Sequence, residues 1–364
     1  MAEIGIGVVG GGYMGKAHSV AMASVGAVFN TALRPRLEMI AARSSENAEK
    51  YRAAYGFARA TDDWRVLVND PKVEAIIIAS TQDTHKDIAL AAFELGKPVM
   101  CEKPMGATMA DAQAMVDAAS AHNCINMVAY NYIRTPASQL ARKLIAEGAL
   151  GQITWMRAEH VEDFQSDPNA DWSWRCDGAA NGCIGDLAPH IYNAALALLG
   201  PIKKLSARMD TVHKTLGGKP VTNDDQVQMM VEFESGVMGH LFGSRVATGR
   251  KMGYAYEIFG TEGSIRFDQE DQNALWFYDA SDPSEMQGFK KILTGPDHPD
   301  YQPFCLGPGH GTGYQDQIII EAKDFLTAIA RGKNIWPTFA DGLAVHHIVE
   351  AAYRSHDSGQ WVEV

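Results

Sequence analysis

Asp186 and His190 stand four residues apart in Gly185-Asp186-Leu187-Ala188-Pro189-His190, a spacing that puts both on one face of a helix. A neutral imidazole beside an ionised carboxylate can take a proton from an alcohol. Pro189 is tolerated only in a first turn, so the pattern predicts a helix starting near Leu187 with Asp186 as its cap. The positive end of that helix dipole would keep Asp186 ionised and His190 neutral. The same pair also suits a plain capping aspartate and a packed histidine. A third group is Lys103, in Cys101-Glu102-Lys103-Pro104 after a short apolar run. An ammonium fixed beside a cofactor cleft can hydrogen-bond a substrate hydroxyl and stabilise charge building on its oxygen. On an open surface it would be an ordinary solvated lysine.

The string Gly10-Gly11-Gly12-Tyr13-Met14-Gly15 lies between an apolar run, residues 4–9, and a helical pattern over residues 13–25. Gly10, Gly12 and Gly15 satisfy G-x-G-x-x-G: one glycine for a tight turn, one for close approach of a diphosphate, one for helix-on-strand packing. The helix start offers backbone N–H groups to the phosphates. Tyr13 and Met14 in the turn, and Ser80, Thr81 and His85 after the third apolar run, join the glycines as candidate cofactor contacts. The second apolar run ends in Ala42-Arg43-Ser44-Ser45, with no carboxylate before Glu46. An acid there would favour NAD, whereas Arg43 and Ser44 suit a 2′-phosphate, so the expected cofactor is NADP or either nucleotide. Arg43 lying over the adenine of NAD is the other reading.

These groups need elements to position them. Apolar runs at 4–9, 37–42, 75–79, 98–101 and 125–129 alternate with helical patterns at 13–25, 46–55, 85–95 and 109–122. Runs apolar on both faces predict a parallel sheet covered by helices, a doubly wound α/β dinucleotide-binding domain over residues 1–128. The pattern then changes. A helix at 136–147 precedes strand-like segments at 153–162, 204–212, 226–233, 237–244, 254–259 and 264–268, with turns at Glu234-Ser235-Gly236 and Thr261-Glu262-Gly263. One helix, 186–199, interrupts them, and two more follow at 315–330 and 343–356. Residues 129–364 thus read as an α+β domain with a large, mostly antiparallel open sheet, its late helices free to pack back on the first domain. The open face predicts a homodimer or homotetramer.

Composition narrows the function classes. The 364 residues carry 32 basic against 44 acidic groups, net −12, which argues against phosphate-backbone binding and hence against a nucleic-acid partner. No run of eighteen apolar residues suggests a membrane span. The start lacks a secretory signal, so the expected compartment is the cytoplasm. Five cysteines are scattered without a C-x-x-C pair, and His346-His347 diverge by about 100° on a helix. No metal site is expected.

Asp171-Trp172-Ser173-Trp174-Arg175 offers aromatic faces and polar hydrogen-bonding groups. A polyol or pyranose has apolar C–H faces and hydroxyl edges that fit such a surface. Trp174 and Arg175 are therefore candidate substrate contacts, with Tyr132, His160 and Asp163 at the rim.

The glycine turn, Cys101-Glu102-Lys103-Pro104, Tyr130-Asn131-Tyr132-Ile133-Arg134-Thr135-Pro136-Ala137 and the stretch from Gly185 to Asn193 together resemble the glucose–fructose oxidoreductase/inositol dehydrogenase (Gfo/Idh/MocA) family. The resemblance spans essentially the whole chain. It implies a Rossmann domain, an α/β partner domain whose open sheet forms dimer or tetramer contacts, and NAD(P)-dependent oxidation of a sugar or cyclitol hydroxyl. Lys103, Asp186 and His190 match the family's catalytic lysine, aspartate and histidine; Glu102 and Asn131 match positions beside the nicotinamide ribose. Gly307-Pro308-Gly309-His310-Gly311 resembles a subgroup including scyllo-inositol and L-glucose dehydrogenases, in which the corresponding histidine reaches a substrate hydroxyl; an idle loop residue is the alternative for His310. The family often has an acid at the second-strand end, and a Ser or Gly where Pro189 stands. Two other functions fit a related chain: a redox-neutral glycosidase or lyase acting by transient oxidation and elimination, and a non-catalytic sensor of dinucleotide or sugar. The presence of Lys103, Asp186 and His190 favours an enzyme.

Overall fold

The computed structural model describes residues 2–364. In chain order the first elements are β1 (Ala2–Val9), α1 (Tyr13–Phe29), β2 (Leu33–Ala41), α2 (Ser45–Tyr55), β3 (Arg59–Thr61), α3 (Trp64–Asn69), β4 (Ala75–Ile78), α4 (His85–Glu94), β5 (Val99–Glu102), α5 (Met109–Ala121) and β6 (Asn126–Ala129). Next come α6 (Pro136–Ala146), β7 (Ile153–Val161), α7 (Cys183–Asp186), α8 (Pro189–Leu199), β8 (Ile202–Asp210), β9 (Thr215–Leu216), β10 (Lys219–Pro220), β11 (Gln226–Phe233) and β12 (Met238–Ser244). The chain ends with β13 (Gly253–Gly260), β14 (Gly263–Asp268), β15 (Ala274–Asp279), β16 (Lys290–Leu293), α9 (Tyr314–Arg331), α10 (Phe339–Ser358) and β17 (Val362–Glu363).

Two compact units result. The first runs to Asn131 and takes in Gly313–Ala344; the second comprises Tyr132–Thr312 and Val345–Val364. The segment 313–344 lies beyond the residue-128 limit expected for the dinucleotide domain. Its helix α9 covers α1, and Gln315 Nε2 donates to the Ala17 carbonyl at 2.8 Å.

The first unit holds a six-stranded sheet in the order β3-β2-β1-β4-β5-β6, parallel throughout. Ile76, Ile77 and Ile78 of β4 are wholly buried, which is why this strand reads as an unbroken apolar run. Strand β2 begins at Leu33, four residues before the expected start, because Leu33 to Leu37 pair with Ala2 to Ile6 of β1. Pro35 is tolerated there because β3 joins β2 only from Met39 onward, leaving no ladder bond for the missing N–H. β3 and α3 have three and six residues, too few to show a hydrophobic period.

The second unit contains a nine-stranded sheet ordered β16-β15-β14-β13-β7-β12-β11-β8-β17. Its pairs are antiparallel except β7 with β12. Val227, Met229, Val231 and Phe233 of β11 are buried while Gln228 and Met230 are exposed, the alternation of a sheet with one covered face. The covered face carries α6, α7 and the N-cap of α8: Tyr256 Oη donates to Ser138 Oγ at 3.1 Å, and a Cβ on Gly243 would crowd Cys183 Sγ and Ala188. Trp155, Met230 and Met238 lie exposed. Strands β15, β16 and β17 and the β9–β10 hairpin were not expected from the sequence.

The helix expected over residues 186–199 is two helices. Pro189 occupies the first turn of α8 and Ala188, not Asp186, is its N-cap residue. Asp186 instead ends the one-turn α7.

The third glycine of the turn is the most constrained. A Cβ at Gly15 would overlap the Gly10 carbonyl oxygen, while one at Gly12 would meet nothing within 4 Å. Gly15→Ala is expected to destabilise by about 1–3 kcal/mol, lowering the Tm in a thermal melt by several degrees, whereas Gly12→Ala leaves the Tm unchanged.

Candidate active site

The nucleotide-binding half is shaped by backbone. Gly10 has φ +98°, where a side chain would be strained. Gly12 sits at the N-terminus of α1 with open space at its Cα, so a diphosphate can approach the free N–H groups of the first turn. From α2, the Tyr51 ring fills the space beside Gly11, and Tyr55 Oη donates to the Gly11 carbonyl at 2.9 Å. The exposed Tyr13 ring stacks on Tyr314 at 6.0 Å, and Tyr314 Oη lies 3.3 Å from Met14 Sδ. The glycines, Tyr13 and Met14 therefore form one rim, and its geometry fits a dinucleotide diphosphate.

Ser44, a candidate for a 2′-phosphate, caps α2 by accepting from Asn47 N at 3.3 Å, with Arg43 next to it in sequence. Ser80 and Thr84 share a hydroxyl hydrogen bond of 2.7 Å, and Thr81 offers its carbonyl to Thr84 Oγ1. His85 is buried, with Nε2 3.1 Å from the Ser80 carbonyl and Nδ1 3.1 Å from that of Pro104. Burial pulls its pKa down against these carbonyls and the Glu102 charge. His85 is a strut between the ends of β4 and β5.

Glu102, at the end of β5, is buried against His18 of α1, Oε1 to Nε2 2.7 Å; its Oε2 accepts from Lys103 N at 3.2 Å. Burial opposes charge on His18, but the Glu102 hydrogen bond and charge, with Glu321 adding to them, raise its pKa on balance. Asn131 Nδ2 donates to Gln317 Oε1 of α9 at 3.1 Å. Lys103 thus leaves a segment whose preceding carboxylate is locked from both sides. The sequence reading missed His18 and Gln317; a polar residue on the otherwise apolar inner face of α1 was the available signal.

In the second unit His190 is buried as the second residue of α8, in the first turn of that helix. The dipole argument does not carry to Asp186, which lies at the carboxyl end of α7. Around His190 stand the rings of Tyr132 at 4.4 Å and His160 at 5.4 Å, with Tyr254 5.3 Å from Tyr132. His160 fixes the link between the helices: Nδ1 lies 2.8 Å from the Leu187 carbonyl and Nε2 3.0 Å from Glu162 Oε1.

Asp186 Oδ2 lies 3.6 Å from Arg175 Nε, an ion pair worth little for stability in its half-exposed setting. The Arg175 guanidinium stacks on Trp174 at 4.4 Å and faces Phe164 at 5.8 Å, and both aromatics are exposed. Aromatic faces flanking a guanidinium beside a carboxylate suit the C–H face and hydroxyl edge of a sugar ring. Phe164 was not anticipated. Two other expected contacts have different neighbours. Asp163 holds Lys251 Nζ at 2.7 Å and accepts from Gly249 N, which keeps its carboxyl below the ordinary range. His310 Nδ1 lies 3.3 Å from Cys305 Sγ in a loop pinned by Tyr301 Oη, which donates to the Gly307 carbonyl and accepts from Gly311 N. Among the described residues no group of three or more His, Cys, Asp or Glu could hold a metal, and no helix is long and apolar enough to cross a membrane.

Comparison with known proteins joins the two halves to one family. Residues 4–130 match the family described as "Oxidoreductase family, NAD-binding Rossmann fold", and residues 138–266 match the GFO/IDH/MocA C-terminal domain. The chain belongs to the Gfo/Idh/MocA family. It is an NAD-binding oxidoreductase of the sugar and inositol dehydrogenase type. It is 38% identical to levoglucosan dehydrogenase of Pseudarthrobacter phenanthrenivorans, covering 100% of this chain and 99% of that one. Against inositol 2-dehydrogenase of Rhizobium meliloti it is 26% identical over 96% of each. Among solved structures, levoglucosan dehydrogenase in complex with NADH and levoglucosan has a TM-score of 0.97 at 38% identity, covering 100% of this chain and 99% of that one. An inositol dehydrogenase homologue from Azotobacter vinelandii, with NADH and myo-inositol, has a TM-score of 0.84 at 25% identity, covering 100% and 98%.

Arg245 and Asp225 form a buried ion pair in the second unit, Nε to Oδ1 2.9 Å. Arg245→Met would leave a carboxylate buried without its cation, so an unfolding titration should show a loss of about 3–5 kcal/mol.

Proposed function

We propose that this chain oxidises a secondary hydroxyl of a pyranose-type sugar with NAD, and that levoglucosan, a bicyclic anhydrosugar, is the substrate to test first. The supporting observation is the exposed Trp174–Arg175–Phe164 platform beside Asp186, in a chain 38% identical over its whole length to levoglucosan dehydrogenase. An anhydrosugar lacks the free anomeric hydroxyl and presents a larger C–H face, which suits two aromatic walls.

His190 takes the hydroxyl proton, Asp186 orients and polarises His190, and Lys103 holds the same oxygen while negative charge builds on it. The carbinol carbon loses a hydride and becomes a carbonyl. Bound NAD supplies the hydride acceptor. Gly10, Gly12, Gly15 and the start of α1 hold the diphosphate, with Tyr13, Met14, Ser80 and Thr81 at its rim and Glu102 and Asn131 toward the ribose. Tyr132, Trp174 and Arg175 contact the sugar. Arg43 and Ser44 leave NADP usable, but NAD is favoured by the NADH complexes of the levoglucosan dehydrogenase relative and by the capping role of Ser44. A second copy of the chain is assigned to the exposed sheet face bearing Trp155, Met230 and Met238.

His190→Ala should lower kcat for levoglucosan by roughly 10²–10⁴-fold while the Kd for NADH, read by fluorescence titration, stays unchanged; near-normal turnover rejects the assignment. Initial rates with NAD and NADP at equal concentration should favour NAD, and a strong NADP preference overturns that choice. One NADH should form per sugar consumed. Sugar consumption without NADH would point to redox-neutral elimination.

A further inference from the structure

The segment that carries Arg175 and Asp186 contains only short turns and the one-turn α7, yet its backbone is gripped from one side. Asn223 Nδ2 donates to the carbonyls of Arg175 at 3.0 Å and Gly178 at 2.9 Å. Arg245 Nη1 donates to those of Arg175 at 2.8 Å and Asn181 at 3.0 Å, and its Nη2 to Asn223 Oδ1 at 2.6 Å. Asp224 completes the grip at the other end. Its Oδ2 accepts from Ile184 N at 2.8 Å, and its carbonyl accepts from Cys183 N at 3.0 Å. Asn223, Asp224, Asp225 and Arg245 are all buried.

We propose that Asp224 is a positioning residue for the sugar oxidation: by holding the Ile184 amide in the single turn of α7, it sets where the Asp186 carboxylate, two residues on, is presented. This rests on the assignment of Asp186 and His190 made above. Three observations support it. First, Asp224 holds α7 directly, through the amides of Cys183 and Ile184. Second, its Oδ1 is buried with no hydrogen-bond partner, and Gly182 is packed so closely on that atom that a Cβ there would overlap it. Third, the carboxylate is poorly housed. Burial, with a smaller push from Asp225, outweighs the Ile184 N–H and Arg245 and raises its pKa to about 6; Cys183, Tyr192 and Tyr353 also face it. A carboxyl whose pKa rises on folding adds stability that is full below its unfolded value of about 4 and lost as pH rises through about 6. Ionisation of this carboxyl therefore works against folding, while its contact with α7 is made by geometry that charge does not supply.

Gly182 gives a second way to disturb the same contact. Asp224→Ala removes the acceptor, and Gly182→Ala displaces it. Each is expected to lower kcat about tenfold or more, as a displacement of about 1 Å can, with the NADH Kd unchanged. The double variant should be no worse than the poorer single one, because both break one contact. Asp224→Asn, which keeps an oxygen for Ile184 N, should restore most of the lost kcat and melt no lower than the native chain. Hydrogen exchange over residues 183–187 should quicken in Asp224→Ala and Gly182→Ala but not in Asp224→Asn. If Asp224→Ala does not fold, Gly182→Ala and Asp224→Asn carry the same comparison. Unchanged exchange, near-native kcat in the disturbing variants, or additive losses would overturn the proposal. Faster exchange together with full activity in His190→Ala would instead overturn the catalytic assignment and leave the brace standing.

Discussion

A guanidinium cannot shed its charge inside a protein, and Arg245 is almost completely buried. Its donors must therefore find acceptors, and those it finds are the Asp225 carboxylate, the Asn223 side chain and two carbonyls of the loop ahead of α7. That requirement draws an irregular loop onto the end of β12 and fixes the residues between Arg175 and Asp186 more firmly than their turn structure could. The platform of Trp174, Arg175 and Phe164 is exposed, but its base is anchored in the interior. Accessible side chains here stand on a backbone held by buried hydrogen bonds.

The nucleotide half reaches the same end by different means. Its precision lies in glycines and strand ends, where one missing Cβ leaves open space at the start of a helix and another lets that helix close on a carbonyl. Buried polar links then fix the segment leaving β5: His18 and Lys103 N hold Glu102, and His85 ties the Ser80 carbonyl to that of Pro104. These links place little reliance on long surface side chains, whose ion pairs contribute weakly.

The parts legible in the sequence were those whose cause is local. Gly10 answers to its own φ of +98° and Gly15 to the Gly10 carbonyl a turn earlier, and β4 is buried on both faces. The spacing of Asp186 and His190 reads as one helix, and the break between them was not legible, because Pro189 passes the cap to Ala188 and the turn before it is too short to show a period. The extended start of β2 depends on pairing with β1. His18 and Arg245 were missed for the same physical reason: a buried charge is explained only by its partners, and these lie 84 residues away at Glu102 and 20 away at Asp225. For Asp163 and His310 the residue type was informative, and the neighbours, Lys251 and Cys305, were decided by loops that composition does not describe.

The proposed mechanism rests on direct transfer of a hydride from the carbinol carbon of a sugar to the nicotinamide as the hydroxyl proton is removed. Its sharpest test is levoglucosan deuterated at each secondary carbon in turn, with the reduced nucleotide examined by mass spectrometry. Direct transfer predicts that deuterium from one carbon only appears, undiluted, in the reduced nicotinamide. Deuterium released to water from every position, or nucleotide reduced without any label, would contradict it.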